Sequence, residues 1–142
     1  MDKGNTIEIR DFCSDFDNYL MVKFCYKKPL IYVSRNILNI DNRKRVNLYC
    51  RYDPQGMYPK NTFVIAKIAF TPSRSGSGTD LLKFLLTIRK KYNIEFIAIE
   101  SGHSESVQGF ANRFQFISMD NHYNYIKKTS ELENLFSEEY ND

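Results

Sequence analysis

Residues 62–92 read TFVIAKIAFTPSRSGSGTDLLKFLLTIRKKY, and they carry the clearest structural signal in the chain. An apolar, β-branched run ends at Pro72, because proline cannot donate a hydrogen bond to a strand ladder. A short loop with Gly76 and Gly78 follows, after which residues 81–88 repeat leucine and isoleucine at the spacing of a helix. The stretch therefore predicts a strand, a glycine turn and a helix.

The predicted turn has the geometry of a phosphate-binding loop. Glycines let the backbone approach an anion closely, and the N–H groups and dipole of the following helix favour negative charge. Arg74 adds a fixed positive charge, and Thr79 or Asp80 is expected to cap the helix. The sequence of the loop matches neither a Walker loop nor a dinucleotide fingerprint. An ordinary connection, whose glycines serve only the turn, is the alternative.

The loop resembles the acyl-coenzyme A binding motif of the GCN5-related N-acetyltransferases, the GNAT superfamily. That motif reads Arg/Gln-x-x-Gly-x-Gly/Ala between a strand and a helix, and residues 73–78, SRSGSG, match both glycine positions. The first position is Ser73, with Arg74 one place later. The resemblance covers roughly residues 60–127 and implies that backbone N–H groups of the loop hold the pyrophosphate of acetyl-coenzyme A. The coenzyme-binding candidates are Ile68, Phe70, Arg74, Ser75, Gly76, Ser77, Gly78 and Thr79.

Composition places the chain among globular proteins. It has 142 residues, of which 42% are hydrophobic and 26% charged, enough for one domain with a sizeable core. The net charge of +3 is too small to indicate nucleic-acid binding by itself. Three cysteines without CxxC spacing favour reduced thiols over a disulfide scaffold or a zinc site. We expect a cytoplasmic protein without signal peptide, bound metal or membrane contact.

Periodicity predicts the elements before the central strand. Residues 6–10 alternate and predict a short strand, and residues 11–27 carry aromatic side chains at the spacing of an amphipathic helix. Residues 46–52 alternate as in a half-buried strand, and residues 53–61 form a loop long enough to carry binding residues. The central strand, residues 63–70, is expected to be buried on both faces because its sequence is almost continuously apolar.

The elements after the glycine turn complete the predicted domain. Residues 94–100 form the next strand, parallel to the central one, and the GNAT resemblance implies that the two strands splay apart around the pantetheine arm. Ser104 is expected to cap a helix that ends near Phe114. We predict one GNAT-like α/β domain over residues 1–128. Its sheet is mixed and mostly antiparallel, with a central splayed parallel pair and flanking helices. Residues 129–142 are predicted to be an acidic tail or a short helix.

Acyl transfer to an amine needs a base for the amine proton and an acid for the departing thiolate. Glu100 and His103 are the base candidates, because open α/β sheets place their sites past the carboxyl ends of central strands. A surface carboxylate and a loop histidine are the plain alternative. The resemblance implies a tyrosine acid on the next helix, but that position is Ala111. Possible substitutes for this acid are Ser104, Ser106, Tyr123 and Tyr125. With Tyr123 chosen as the acid, the catalytic candidates are Glu100, His103 and Tyr123.

Three functions are compatible with these residues. The first is an N-acyltransferase that uses acetyl-coenzyme A and an amine acceptor. The second is a catalytically inactive GNAT-like module that binds a protein partner, which Ser73 and Ala111 favour. The third, with weaker support, is a nucleic-acid interface of basic residues near tyrosines. The basic residues are Lys27, Lys28, Arg43, Lys44, Arg45 and Arg51.

Overall fold

The computed structural model describes residues 3–41, 44–71, 76–101, 103–119 and 123–140. These residues form helices and strands in the order α1 (Lys3–Phe24), β1 (Tyr32–Ser34), β2 (Ile37–Ile40), β3 (Val46–Tyr52), β4 (Thr62–Phe70), α2 (Ser77–Ile88), β5 (Phe96–Glu100), α3 (Glu105–Arg113), β6 (Ile117–Ser118), β7 (Asn124–Lys128) and α4 (Thr129–Tyr140). In the described part of the chain, no helix is apolar over a length that would cross a bilayer.

The strands form one sheet in the order β1-β2-β3-β4-β5-β7-β6. Its centre is the parallel pair β4 and β5, and every other neighbouring pair is antiparallel. Parallel strands cannot be joined by a hairpin, so the chain crosses from β4 to β5 through α2. The predicted single α/β domain with a mixed, mostly antiparallel sheet is confirmed.

The parallel pair separates part-way along β4. The register joins residues 62–65 of β4 to residues 96–99 of β5, and β4 then continues to Phe70 beside β3 alone. Near the point of separation, Cys50 pairs with Ile65 and Tyr49 with Lys67, so Ala66 is an extra residue in β4. Such a bulge leaves a residue out of the ladder and bends the strand. Beyond Ile65, therefore, no described strand pairs with β4 on the side of β5, which ends at Glu100, and this unpaired edge of β4 is called the gap.

The main core lies on one face of the sheet and contains buried side chains from all four helices. Helix α1 packs there through Phe12 and Phe16, whose rings lie 5.1 and 6.2 Å from that of Phe63 on β4. It also contacts α2, where the rings of Tyr19 and Phe84 stack with centroids 4.2 Å apart. A second, smaller cluster on the opposite face joins Tyr58, Val64 and Ala98, with Met119 and Ile126 packed against it. Tyr58 and Met119 belong to loops and the other three to strands, so loops rather than described helices pack on this cluster, and its side of the sheet is called the loop-covered face.

The strand predicted for residues 6–10 is wrong, because α1 runs without interruption from Lys3 to Phe24. Its buried side chains lie along one helical face, at Ile9, Phe12, Cys13, Phe16, Leu20 and Phe24. The alternation of Ile7 and Ile9 has the period of a strand over too few residues to compete with this longer helical pattern. The helix ends three residues before the predicted end, where Cys25 takes a left-handed φ of 61°.

The central strand is buried on both faces only over residues 62–65. From Ala66 onward its residues alternate between half-buried and exposed, and Lys67 reaches solvent. The expectation of burial on both faces is therefore wrong for the second half of β4. That half has lost β5 as a neighbour, and none of the described helices packs on the side where Lys67 lies.

Candidate active site

Helix α2 begins at the N-cap residue Gly76, which has a left-handed φ of 84° and ψ of 4°. Glycine adopts this conformation without strain, whereas other residues do not. A Cβ added there would meet none of the described atoms within 4 Å, so a side chain at this position would have room. The predicted capping by Thr79 or Asp80 is wrong, because both residues lie inside α2 and the helix has no side-chain cap. First-turn N–H groups have no intrahelical acceptor, which makes such a helix end suitable for an anion.

Gly78 has a different structural role from Gly76. A Cβ added at Gly78 would lie 2.9 Å from Cε1 and 3.1 Å from Cζ of Phe110 on α3. Glycine at this position therefore lets α3 pack closely against the first turn of α2. A contribution of the Gly78 and Thr79 backbone to coenzyme binding stays a prediction.

The remaining coenzyme-binding candidates lie around this helix end. Arg74 and Ser75, like Ser73, fall outside the described residues. Ser77 is buried in the first turn of α2. Ile68 and Phe70 are half-buried on the helix-bearing face, where the Phe70 ring stacks on that of Phe24 at 5.6 Å. The backbone of these two strand residues, rather than their side chains, borders the gap beside β4.

Asp80 ties the start of α2 to α1. Its Oδ2 accepts a hydrogen bond from the Tyr19 hydroxyl at 3.1 Å and lies 3.1 Å from Lys23 Nζ. Burial raises the pKa of Tyr19, and the negative charge of Asp80 raises it further, so Tyr19 stays a donor at neutral pH. A carboxylate in the first turn also interacts favourably with the helix dipole. These contacts hold α2 in place, and the sequence offers no local signal for them because 61 positions separate Tyr19 from Asp80.

Glu100 lies at the carboxyl end of β5, one residue past the point where β4 and β5 separate. Its Oε2 accepts hydrogen bonds from Arg51 Nη2 on β3 and from the Tyr58 hydroxyl, the latter at 2.5 Å. The Glu100 side chain retains 23% of its exposure, so solvent or a substrate can still reach it. Because Glu100 alternates with Ile99, it shares the loop-covered face with Ala98 and Tyr58. The structure therefore presents a held, accessible carboxylate beside the gap.

His103 and Tyr123 form a second group at the same end of β5. Their rings meet edge to face with centroids 4.8 Å apart. Ser101 fixes the adjoining backbone, because its N–H and its hydroxyl both donate to the Tyr123 carbonyl oxygen, at 2.8 and 2.6 Å. The three predicted catalytic residues are thus near one strand end, although the side-chain hydrogen bonds of Glu100 go to Arg51 and Tyr58. Their catalytic roles stay predictions.

Two of the three cysteines are poorly suited to nucleophilic catalysis or metal binding. Cys13 and Cys50 are buried, and burial raises the pKa of the Cys13 thiol to about 12. Burial also raises the pKa of Cys50. A thiol becomes a nucleophile or a metal ligand as the thiolate, which these sites disfavour. The described residues contain no group of three or more potential metal-ligating His, Cys, Asp or Glu side chains.

An open cavity of about 460 Å³ lies away from Glu100, near the end of β3 at Tyr52. It is bordered by the N-terminal half of α1, the β1–β2 turn and the start of the β3–β4 loop. Its charged residues are of both signs and include Glu8, Arg10, Arg35 and Asp53. None of the candidate catalytic or coenzyme-binding residues lines this cavity, so it is separate from the site beside Glu100.

Comparison with known proteins bears on the fold. No family model matches the chain, and no curated protein is significantly similar to it in sequence. The structure of AtaTR bound with AcCoA superposes with a TM-score of 0.51 at 16% identity, covering 70% of this chain and 69% of that one. The KacTA–DNA complex gives 0.53 at 15% identity, covering 85% and 84%. The AtaT–AtaR complex bound to DNA gives 0.53 at 14% identity, covering 71% and 73%.

The chain has the GNAT fold. The predicted resemblance is confirmed at this level, with a divergent sequence. The position at which the resemblance implies a tyrosine acid is Ala111, which is fully buried in α3. The backbone carbonyl of Ala111 accepts a hydrogen bond from the Phe116 N–H at 3.0 Å. Ala111 is therefore part of the core, at the position where the resemblance implies a hydroxyl group.

The sequence did not predict that Arg51 and Tyr58 lie beside Glu100, and Arg51 was named only as a basic residue of a nucleic-acid interface. A signal for Arg51 existed, because it occupies an outward position in the alternating pattern of β3. The loop over residues 53–61 was expected to carry binding residues, but nothing in it distinguished Tyr58 from its neighbours. Tyr58 is only 6% exposed and lies 42 positions from Glu100, so folding alone brings the two together.

Proposed function

We propose that this protein is an acyl-coenzyme A-dependent N-acyltransferase that transfers an acetyl group from acetyl-coenzyme A to an amine. The observation that carries the proposal is the gap along the unpaired edge of β4, which begins near Glu100 and continues toward the Gly76 N-cap of α2. AtaTR, which superposes on this fold, binds AcCoA, and this supports acetyl-coenzyme A as the co-substrate.

In this proposal the coenzyme lies along the gap. The N–H groups that follow Gly76 hold the pyrophosphate, and Arg74 adds positive charge. The pantetheine arm passes between β4 and β5, where β4 lacks a partner on that side. The bulge at Ala66 supplies backbone groups outside the ladder, and an N–H there would stabilise the developing charge on the thioester oxygen.

The chemical step joins the acceptor nitrogen to the thioester carbonyl carbon and breaks the bond to sulfur. Glu100 takes the proton that the nitrogen loses, and His103 is the alternative base. The coenzyme leaves as a thiolate, which takes a proton from Tyr123 in place of the hydroxyl that Ala111 lacks. Accessibility of the Glu100 carboxylate from the loop-covered face supports entry of the amine on that side.

Calorimetric titration of acetyl-coenzyme A into the wild type and Gly76→Glu tests the binding step. The glutamate should abolish binding, because it places a negative charge where the pyrophosphate is proposed to lie. Gly56→Glu is the matched control, since Gly56 also has a left-handed φ, of 72°, and open space around it. This control should bind like the wild type. Equal binding by all three proteins would contradict the proposed pyrophosphate site.

The reaction itself is tested by chromatographic detection of free coenzyme A. Wild-type protein and acetyl-coenzyme A are incubated with a panel of primary amines that contains spermidine, amino acids, peptides and aminoglycosides. Release that depends on one of these amines would support the proposed reaction. Absence of coenzyme binding in calorimetry would instead favour the alternative, an inactive module that binds a protein partner. Binding to other macromolecules occurs in similar structures, since the AtaT–AtaR complex is bound to DNA and KacTA forms a complex with DNA.

A further inference from the structure

Both described hydrogen bonds to Glu100 end on the same carboxylate oxygen, Oε2. We infer that Arg51 and Tyr58 are positioning residues that hold Oε2 and thereby leave Oε1 as the oxygen that accepts the acceptor amine's proton. This inference rests on the proposed function, because it assigns the geometry of the same base. A carboxylate with one oxygen held by two donors has little freedom to rotate, so its second oxygen keeps a defined direction.

Tyr58 is itself held firmly. Its ring packs against Val64 and Ala98, and only 6% of the residue is exposed. The loop that carries it is closed by hydrogen bonds at its base, from the Asp53 N–H to the Thr62 carbonyl at 2.9 Å and from the Asn61 N–H to Asp53 Oδ1 at 2.8 Å. The Thr62 hydroxyl adds a third, to the Pro59 carbonyl, at 2.7 Å. The loop therefore delivers a hydroxyl to a fixed point beside Glu100.

The Tyr58 hydroxyl is suited to donate rather than to ionise. Burial raises the pKa of Tyr58, and the hydrogen bond to Glu100 raises it further, while the nearby Arg51 charge acts in the opposite direction. Tyr58 therefore keeps its proton at neutral pH and remains a donor to the carboxylate. Proton transfer from the amine can then involve Glu100 without loss of the Tyr58 proton.

Arg51 supplies the charged member of the pair. It pairs with Val64 across β3 and β4, and its guanidinium extends over the loop-covered face to Glu100. Its Nε is buried and has no hydrogen-bond partner among the described residues. A buried donor of this kind is unusual in a group that serves only stability, and it fits a site that a substrate or water completes.

The proton balance uses only groups already assigned. The amine nitrogen bonds to the carbonyl carbon, its proton passes to Glu100 Oε1, and the carbon–sulfur bond breaks. The coenzyme sulfur takes a proton from Tyr123, and exchange with solvent then returns Glu100 to the carboxylate and Tyr123 to the phenol. Arg51 and Tyr58 keep their protons throughout, so their effect is confined to the placement of Glu100.

The test compares Tyr58→Phe with Tyr52→Phe, using acetyl-coenzyme A and the amine of the panel that the wild type turns over fastest. Tyr52 is a matched control, since its half-buried hydroxyl contacts the Tyr92 carbonyl instead of Glu100. We expect Tyr58→Phe to lower kcat about 10- to 100-fold, the effect of a lost hydrogen bond to a charged group. The KM for acetyl-coenzyme A should change little in both variants, and kcat should fall only in Tyr58→Phe.

Arg51→Gln and Arg51→Lys provide the second arm and keep the test decisive if Tyr58→Phe does not fold. Arg51→Gln should lower kcat by a similar factor. Arg51→Lys should have a kcat between those of Arg51→Gln and the wild type, because a cation remains near Oε2. Unchanged kcat in folded Tyr58→Phe, or in both Arg51 variants, would overturn the inference while leaving the proposed function intact. Absence of amine-dependent coenzyme release by the wild type would overturn the proposed function, and the inference with it.

Discussion

Replacement of Gly78 by alanine measures how closely α3 packs against the first turn of α2. The added Cβ would lie 2.9 Å from Phe110 Cε1 and 3.1 Å from Cζ, distances at which ring or backbone must shift. Overpacking of this kind costs about 1–3 kcal/mol. Helix propensity acts in the opposite direction, since alanine is favoured over glycine in a helix by roughly 1 kcal/mol. The clash is the larger effect, so we expect a net loss of about 1 kcal/mol in unfolding free energy.

Urea unfolding of a double-mutant cycle separates the two effects. Phe110→Leu removes the ring atoms that the new Cβ would meet, at its own cost in packing. In that background Gly78→Ala should become stabilising, by up to about 1 kcal/mol, because only helix propensity remains. The coupling energy between the two sites should be about 0.5–3 kcal/mol, the range found for side chains in contact.

Gly109→Ala is the matched control for this cycle. Gly109 lies within α3, and a Cβ added there meets no atom within 4 Å. Its replacement should therefore stabilise the protein by roughly 1 kcal/mol, in the wild type and in Phe110→Leu alike. If Gly78→Ala stabilises the wild type as Gly109→Ala does, or if the coupling energy is zero, the close approach of α3 to α2 is refuted.

Two further predictions concern titrating groups. Cys25 is exposed, while burial raises the pKa of Cys13 to about 12 and also raises that of Cys50. A chromogenic disulfide should therefore modify one thiol in the native protein and three after denaturation, and fast native reaction of all three would contradict the burial. A hydrogen bond from Tyr92 lowers the pKa of Asp15. The resulting stabilisation is present at neutral pH and is lost as pH falls through that lowered pKa. Asp15→Asn should flatten the decline in unfolding free energy below about pH 4. The same decline in Asp15→Asn as in the wild type would contradict this prediction.

The elements predicted correctly are those with a local signal. The bounds of β3 follow from its alternation, and the Ser104 cap is confirmed by the Val107 N–H, which donates to the Ser104 hydroxyl at 3.2 Å. The predicted start of α2 is too late. The N-cap residue is Gly76, which has no side chain that could mark the start of the helix in the sequence. The wrong strand over residues 6–10 has a different origin, since a short alternation there lies inside a longer helical pattern.

Local sequence patterns were enough to predict the strand–turn–helix unit, the parallel pair that it implies and the position of Glu100 at a strand end. Periodicity and turn residues act over a few neighbouring positions, so they can be read without a structure. The groups around Glu100 could be identified only from the folded structure, because Arg51 and Tyr58 lie 49 and 42 positions away in the chain. Their convergence depends on the register of β3 with β4 and on the packing of a loop across the sheet, which no local pattern encodes.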